Sequence, residues 1–284
     1  MWSPNPDQSE QSALLTARVG AANPQEQARL DRLKLRTVMI CTPIARAPVW
    51  RYTVALAETC VLLSRLGIRF YYNVVLNQSN LPRARNVLVA KFLASDASDL
   101  MFIDDDIGWD QADVVRLLAS EQPLVAGAYR RKIDLPDQVG GWACQFLPGT
   151  LNIDAMGNVE VAHAATGFMR IHRQVFDELV RAHPDWKGGG GLEELPPNEQ
   201  PFYRRFFAYD DNEMTEDYVF CDRWRAIGGR VFIDPSLTLS HFGDKAYTGA
   251  IKDLIWAPQQ EPAGSRFSEK WQFVRKDPTL GGGR

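Results

Sequence analysis

Apolar positions along the chain follow two rhythms. Short unbroken apolar runs closed by turn residues alternate with longer stretches where apolar residues recur every three or four positions. The first rhythm predicts buried strands and the second helices with one buried face, so the order reads as an α/β chain. Val38–Cys41 is the first strand, followed by a turn, Thr42–Pro48, that holds two prolines. Trp50–Leu66 is a helix with Val54, Ala57, Val61 and Leu62 on its buried face and Gly67 as its stop. Ile68–Leu76 is an aromatic and β-branched strand. Pro82 suits the first turn of a helix reaching Ser95, with Leu81, Leu88, Val89, Phe92 and Leu93 toward the core. Leu100–Ile103 shows no alternation, as in a strand covered on both faces, and stops at Asp104, Asp105 and Asp106. Asp110 is a fitting N-cap for a helix over Gln111–Leu118.

The second half is more broken. Pro123–Tyr129 is a buried strand closed by Arg130, Arg131 and Lys132. Residues 138–171 read as antiparallel: Trp142–Phe146, Leu151–Ile153, a turn at Met156–Asn158, a return over Val159–Ala164, and Thr166–Ile171 opened by Gly167. A short helix covers Gln174–Arg181. Pro184–Pro201 has no apolar period and reads as a lid or a flexible insertion. Phe202–Tyr209 reads as a strand. Thr215 caps a helix that ends at Gly228-Gly229, Arg230–Asp234 is a last short strand, and His241 lies in a loop after Leu237–Ser240. The divisions that follow are a polar arm over 1–36 with a helix near Pro24–Leu35, one domain over 37–250, and a tail over 251–284.

Composition narrows the function classes. With 284 residues the chain has room for a sizeable core. Its net charge of −3 provides no global basic field for nucleic acid or an anionic membrane. Cys41, Cys60, Cys144 and Cys221 are dispersed without C-x-x-C spacing and read as buried free thiols. No apolar run approaches the ~20 residues that span a bilayer. The segment MWSPNPDQSEQ lacks the features of a signal peptide, so the expectation is a soluble, cytoplasmic protein.

The candidate chemistry gathers at strand ends. Carboxylates at the carboxyl edge of an open α/β sheet lie where such folds bind ligands. Three adjacent like charges stay ionised most easily if solvated or if a cation lies among them. A divalent ion with a phosphorylated ligand is one reading, and a solvated acidic turn the other. Thr42 and Pro43 would line a nucleotide pocket or merely connect. Arg83, Arg85 and Asn86 lie near a helix N-terminus, where cations are mildly unfavourable. They would be surface residues, or would contact an anionic ligand or the aspartate cluster. One of Arg130, Arg131 and Lys132 could counter a diphosphate. Gly167 would permit close backbone approach. Glu216 and Asp217 in a first turn would stabilise the helix dipole by about 0.3–1 kcal/mol without any catalytic role.

In their order, VMICTP, LMFIDDD, ATGFMRIHRQVF, TEDYVFCDRWRAIGG and HFG resemble the pieces of the GT-A glycosyltransferases, nearest to the broad inverting family 2 and its soluble, including phage-associated, relatives. The resemblance runs over roughly Thr37–Tyr247. It implies a GT-A, Rossmann-like fold, with a mixed, mainly parallel sheet flanked by helices and a small antiparallel acceptor-side subregion. It also implies transfer of a single sugar from a nucleoside-diphosphate sugar, UDP-sugar by analogy, to the hydroxyl of a glycan, a glycolipid or, less in keeping with the charge, a modified nucleic-acid base. Asp106 and His241 would hold Mn²⁺ or Mg²⁺, and Asp104 would contact metal or ribose. Asp105, on the alternate face of the strand, is the least defined of the three within a donor-binding set of Thr42, Pro43, Arg85, Asp104, Asp105, Thr166 and Gly167. Asp217 would be the general base with Glu216 as its alternative, and direct displacement would invert the anomeric centre. The chain lacks a Q-x-x-R-W-type motif and membrane helices, which argues against a processive synthase. The competing classes are a nucleotidyltransferase, for which CTPIARAP lacks a glycine-rich phosphate loop, and a non-catalytic nucleotide-sugar-binding protein.

Overall fold

The computed structural model describes residues 24–135, 138–186, 195–210 and 214–256. Most of the expected arm, the centre of the expected lid and nearly all of the tail lie outside the described residues. The strands of the main sheet are β1 (Thr37–Ile44), β2 (Arg69–Leu76), β3 (Asp99–Ile103), β5 (Leu124–Gly127), β6 (Cys144–Phe146), β7 (Val159–Ala164), β8 (Phe168–His172) and β9 (Val231–Asp234). They lie in the order β2-β1-β3-β8-β5-β9-β7-β6. β8 and β7 run against the other six. A second, antiparallel sheet, β11-β10-β4, joins β4 (Ile107–Gly108), β10 (Leu239–Phe242) and β11 (Ala246–Gly249). The architecture is thus a mixed α/β sheet flanked by helices with a small antiparallel sheet, as the resemblance implies. The residues expected to be antiparallel over 138–171, however, join the main sheet as β6, β7 and β8, and the small sheet is built from Ile107–Gly108, Leu239–Phe242 and Ala246–Gly249 instead.

Two helical layers follow from the period of the strands. Successive side chains point to opposite faces, so Leu100 and Phe102 enter one apolar cluster while Met101 and Ile103 enter the other. The first cluster is covered by α3 (Leu81–Leu93), α5 (Arg173–Ala182) and α6 (Glu216–Ala226), through Leu88, Phe92, Phe176, Leu179 and Phe220. The second is covered by α2 (Trp50–Leu66) and α4 (Gln111–Leu118), through Tyr52, Leu63, Val115 and Leu118. α1 (Pro24–Lys34) precedes the sheet and seats Leu33 on this second cluster. A last short helix, α7, spans Lys252–Ile255. Among the described residues no helix is long and apolar enough to cross a membrane.

Local chemistry sets the element ends. Gly67 closes α2 at φ 72°, and Asp110 and Asp113 form a reciprocal capping box at the start of α4. Three expectations need correction. The buried face of α2 is Tyr52, Ala55, Thr59, Leu62 and Leu63, while Val54 and Val61 are exposed. Thr59 is held inside because its hydroxyl accepts the Trp109 indole N–H at 2.9 Å. Phe202–Tyr209 forms no sheet strand. Phe206 and Phe207 are both buried, one on Phe176 and the other stacked on Phe220, so neighbouring residues fill the core where a strand would alternate. His241 lies within strand β10, not in a loop.

Candidate functional site

Two ladders set Asp104, Asp106 and His241 at the carboxyl edge of β3, and a third carries β1 past it. The β3–β8 pairing ends at Ile103 and Phe168, and the next bond, from Asp104 N–H to the Gly167 carbonyl at 3.0 Å, sets Asp104 beside Gly167. β10 pairs with β4 so that His241 faces Ile107, and the Phe242 N–H bonds the Asp106 carbonyl at 2.8 Å. The third ladder, β1 with β2, carries the first strand through Thr42 and Pro43 to Ile44. These two residues are therefore buried strand residues, where the sequence suggested a turn. β1 pairs with β3 only as far as Cys41, so beyond it a residue without an N–H is tolerated. The Thr42 hydroxyl is already shared with Tyr52 at 2.5 Å, and the exposed turn begins at Ala45.

The three aspartates diverge. Asp104 turns toward α3 and α6, where Arg85 Nη2 donates to both of its oxygens at 3.1 and 3.3 Å. Arg85 Nε donates to Glu216 Oε1 at 3.1 Å. Arg85 is only 2% exposed, and its Nη1 is buried without a hydrogen-bond partner. Burial alone would lower its proton affinity, but Asp104, Glu216 and Asp217 more than compensate and hold the guanidinium charged. Burial raises the carboxyls of Asp104 and Glu216 above the usual range, with Arg85 opposing it in both. Asp105 points to the β1–α2 turn, where the Ala45 N–H donates to it. Its carboxyl is pushed up to about 6 by partial burial and by Asp106 and Asp104.

Asp106 faces the small sheet. Its Oδ2 accepts from Lys132 Nζ at 2.5 Å, and its Oδ1 lies 3.5 Å from His241 Nε2. Burial would raise its carboxyl, but His241 and Lys132 outweigh burial and hold it below the ordinary value. His241 Nδ1 is 2.9 Å from the Arg130 carbonyl, which can only accept. Nδ1–H therefore donates to that carbonyl, and Nε2 is the ring nitrogen that faces Asp106. A carbonyl that holds Nδ1 in this way is the usual support of a metal-binding imidazole. One carboxylate oxygen and one imidazole nitrogen suit a hard or borderline divalent ion. Among the described residues no group of three or more His, Cys, Asp or Glu forms a complete shell. The protein's two donors would need oxygen atoms of a substrate and of water to complete it.

Glu216 and Asp217 open α6 with different surroundings. Glu216 is buried on Arg85, while Asp217 is partly exposed. Asp217 Oδ1 accepts from the Thr215 hydroxyl and from the Tyr218 N–H, the latter at 2.9 Å. Thr215 thus stands at the N-cap position with its hydroxyl engaged by Asp217. Asn86, next to Arg85, fastens the approach to α6 by bonding both the carbonyl and the N–H of Phe207, at 2.8 and 2.9 Å. The field of Asp217 reaches Arg85, Asp104 and Tyr129, so the start of α6 and the aspartate edge form one electrostatic unit.

Sequence reasoning missed Tyr129. Its ring packs edge-on against His241 with centroids 5.0 Å apart, and burial pushes its phenol well up. The only hint was its place one residue before the Arg130–Lys132 run. Gly167 explains how Tyr129 fits: a Cβ there would lie 2.4 Å from the Tyr129 hydroxyl and 3.0 Å from Asp104 Oδ2. Gly167→Ala is expected to destabilise the fold by about 1–3 kcal/mol, read as an earlier urea midpoint, because Tyr129 and Asp104 must both shift. Thr166, beside it, is fully buried and its hydroxyl has no hydrogen-bond partner.

No family model matches the chain, and no curated protein matches it. Among solved structures the chain is similar to a nucleoside-diphosphate-sugar pyrophosphorylase from Vibrio cholerae RC9. The identity is 10% and the TM-score 0.32, over 72% of this chain and 74% of that one. It is also similar to the inositol-1-phosphate CTP transferase from T. maritima, at 12% identity and TM-score 0.34, over 70% of this chain and 85% of that one. At this distance neither likeness bears on substrate or reaction.

Proposed function

We propose that the chain is a metal-dependent glycosyltransferase that moves one sugar from a nucleoside-diphosphate sugar to an acceptor hydroxyl. One observation carries the reading. Five carboxylates, of Asp104, Asp105, Asp106, Glu216 and Asp217, meet at one sheet edge against the cations Arg85 and Lys132, with His241 Nε2 beside Asp106. Such an excess of negative charge favours a bound cation. Mn²⁺ or Mg²⁺ held by Asp106 and His241 would supply countercharge to a departing diphosphate. The chain's own groups supply the rest. Asp217 takes the proton of the acceptor hydroxyl as its oxygen bonds to the anomeric carbon and the bond to the diphosphate breaks. Glu216 is unsuited to that task because Arg85 holds it. Asp104, oriented by Arg85, is left to meet the donor. By analogy the displacement inverts the anomeric centre.

Calorimetric titration of a panel of nucleotide sugars, with Mn²⁺ or with chelator, tests this reading. A donor whose affinity falls on chelation is expected. Asp106→Ala should then bind that donor with an affinity that chelator no longer changes. Unaltered metal dependence in this variant would remove Asp106 from the site, and no response across the panel would remove the activity.

A further inference from the structure

The Lys132–Asp106 contact is built into the fold. Residues Arg131–Ile133 form a three-residue turn, closed by the Ile133 N–H on the Arg131 carbonyl at 2.8 Å, with Lys132 at its tip. The turn is fixed from two sides. The Arg131 N–H bonds the Gly141 carbonyl at 2.8 Å, and Lys245 bonds Asp134 at 2.6 Å. The stem of Lys132 then lies along Gly243, two residues after His241. A Cβ on Gly243 would stand 3.0 Å from Lys132 Cδ and 3.6 Å from its Cγ, so the missing side chain leaves the groove that the stem occupies. The ammonium ends on Asp106 Oδ2, while Oδ1 of the same carboxylate faces His241.

We infer that Lys132 is a tethered internal cation that competes with the divalent ion for Asp106. The inference rests on the reading of Asp106 as a metal-binding carboxylate. Lys132 neutralises the carboxylate in the ion-free protein and has to give way when the ion arrives. Since any species that occupies a site lowers the apparent affinity of its competitor by mass action, Lys132 sets a threshold on metal loading. Its stem, free to rotate about several bonds, can leave Asp106 without moving the turn that carries it.

The test uses the full chain without nucleotide. Mn²⁺ alone is titrated, and free Mn²⁺ is read from its paramagnetic resonance signal. Lys132→Met is expected to bind Mn²⁺ about five- to tenfold more tightly than the parent. Arg131→Gln removes a neighbouring positive charge that does not touch Asp106, and should change the affinity by less than about twofold. Equal tightening in both variants would show a general field effect and overturn the inference. Unchanged or weaker binding by Lys132→Met would overturn it while leaving the metal reading intact. No Mn²⁺ binding in the parent or in Lys132→Met would overturn both.

Discussion

Asn in place of Asp217 is expected to lower turnover by about 10²–10⁴-fold while leaving donor affinity unchanged. The substitution is close to isosteric, and both hydrogen bonds to the native side chain fall on Oδ1, from the Thr215 hydroxyl and the Tyr218 N–H. An amide oxygen can accept both, so the start of α6 should keep its shape. What is lost is the capacity to take a proton. Glu216 cannot replace it, since it is buried and bonded to Arg85. Single-turnover rates with saturating donor, set beside the donor dissociation constant, separate the two effects. Glu216→Gln, whose Oε1 can still accept from Arg85, should lose far less. The reverse ranking would move the base to Glu216, and wild-type turnover by Asp217→Asn would leave the helix with only its dipole role.

The largest expected effect on stability comes from Arg85→Met. A buried ion pair that loses one partner typically costs about 3–5 kcal/mol, because the remaining charge stays desolvated. Here two carboxylates, Asp104 and Glu216, would be stranded together, since Arg85 bonds both. The sign of the pH dependence follows. Burial already raises both carboxyls above the ordinary range, with Arg85 opposing. Without Arg85 they rise further, so the folded variant binds protons more tightly than the unfolded chain does. The deficit against the parent should therefore be widest at neutral pH and narrow as pH falls toward the folded carboxyl values. Urea unfolding at several pH values measures it. A deficit independent of pH would mean that Arg85 contributes packing against Phe102, over which its guanidinium lies at 5.2 Å, and little charge compensation. Arg85→Lys is not expected to restore stability, because one ammonium cannot reproduce a fork held at two carboxylates.

Where the sequence was legible, burial and periodicity agreed. β3 is buried on both faces as its unbroken apolar run required, and α4 begins at the cap that Asp110 advertises. The buried face of α2 was not legible. Val54 and Val61 have the greater hydrophobicity, yet the sheet meets the side of the helix that carries Ala55 and a hydrogen-bonded Thr59. A count of apolar residues cannot see a partner such as Trp109. The same limit applies at the site. Asp104, Asp106, Glu216, Asp217 and His241 stand out as an ordered set, because a strand end, a helix start and a late histidine together carry what none of them carries alone. The convergence of Arg85 on two of them depends on how α3 and α6 lean over the sheet, which no local pattern records. Tyr129 and the carbonyl of Arg130 were invisible for a related reason: their importance lies in what they touch.

The placement of His241 by pairing, rather than by a loop, has a consequence for how this chain tolerates changes in length. His241 faces Ile107 because two short strands share a register, and side chains on a strand alternate. A residue gained or lost in an exposed bend such as Pro148–Thr150 can be absorbed without touching this ladder. The loss of a single residue inside β10 cannot. It would bring Ser240 or Phe242 to the position opposite Ile107 and carry the imidazole to the far side of the ribbon, away from Asp106. Spacing in such a bend is therefore loose, and over a few residues around His241 it is counted in single steps.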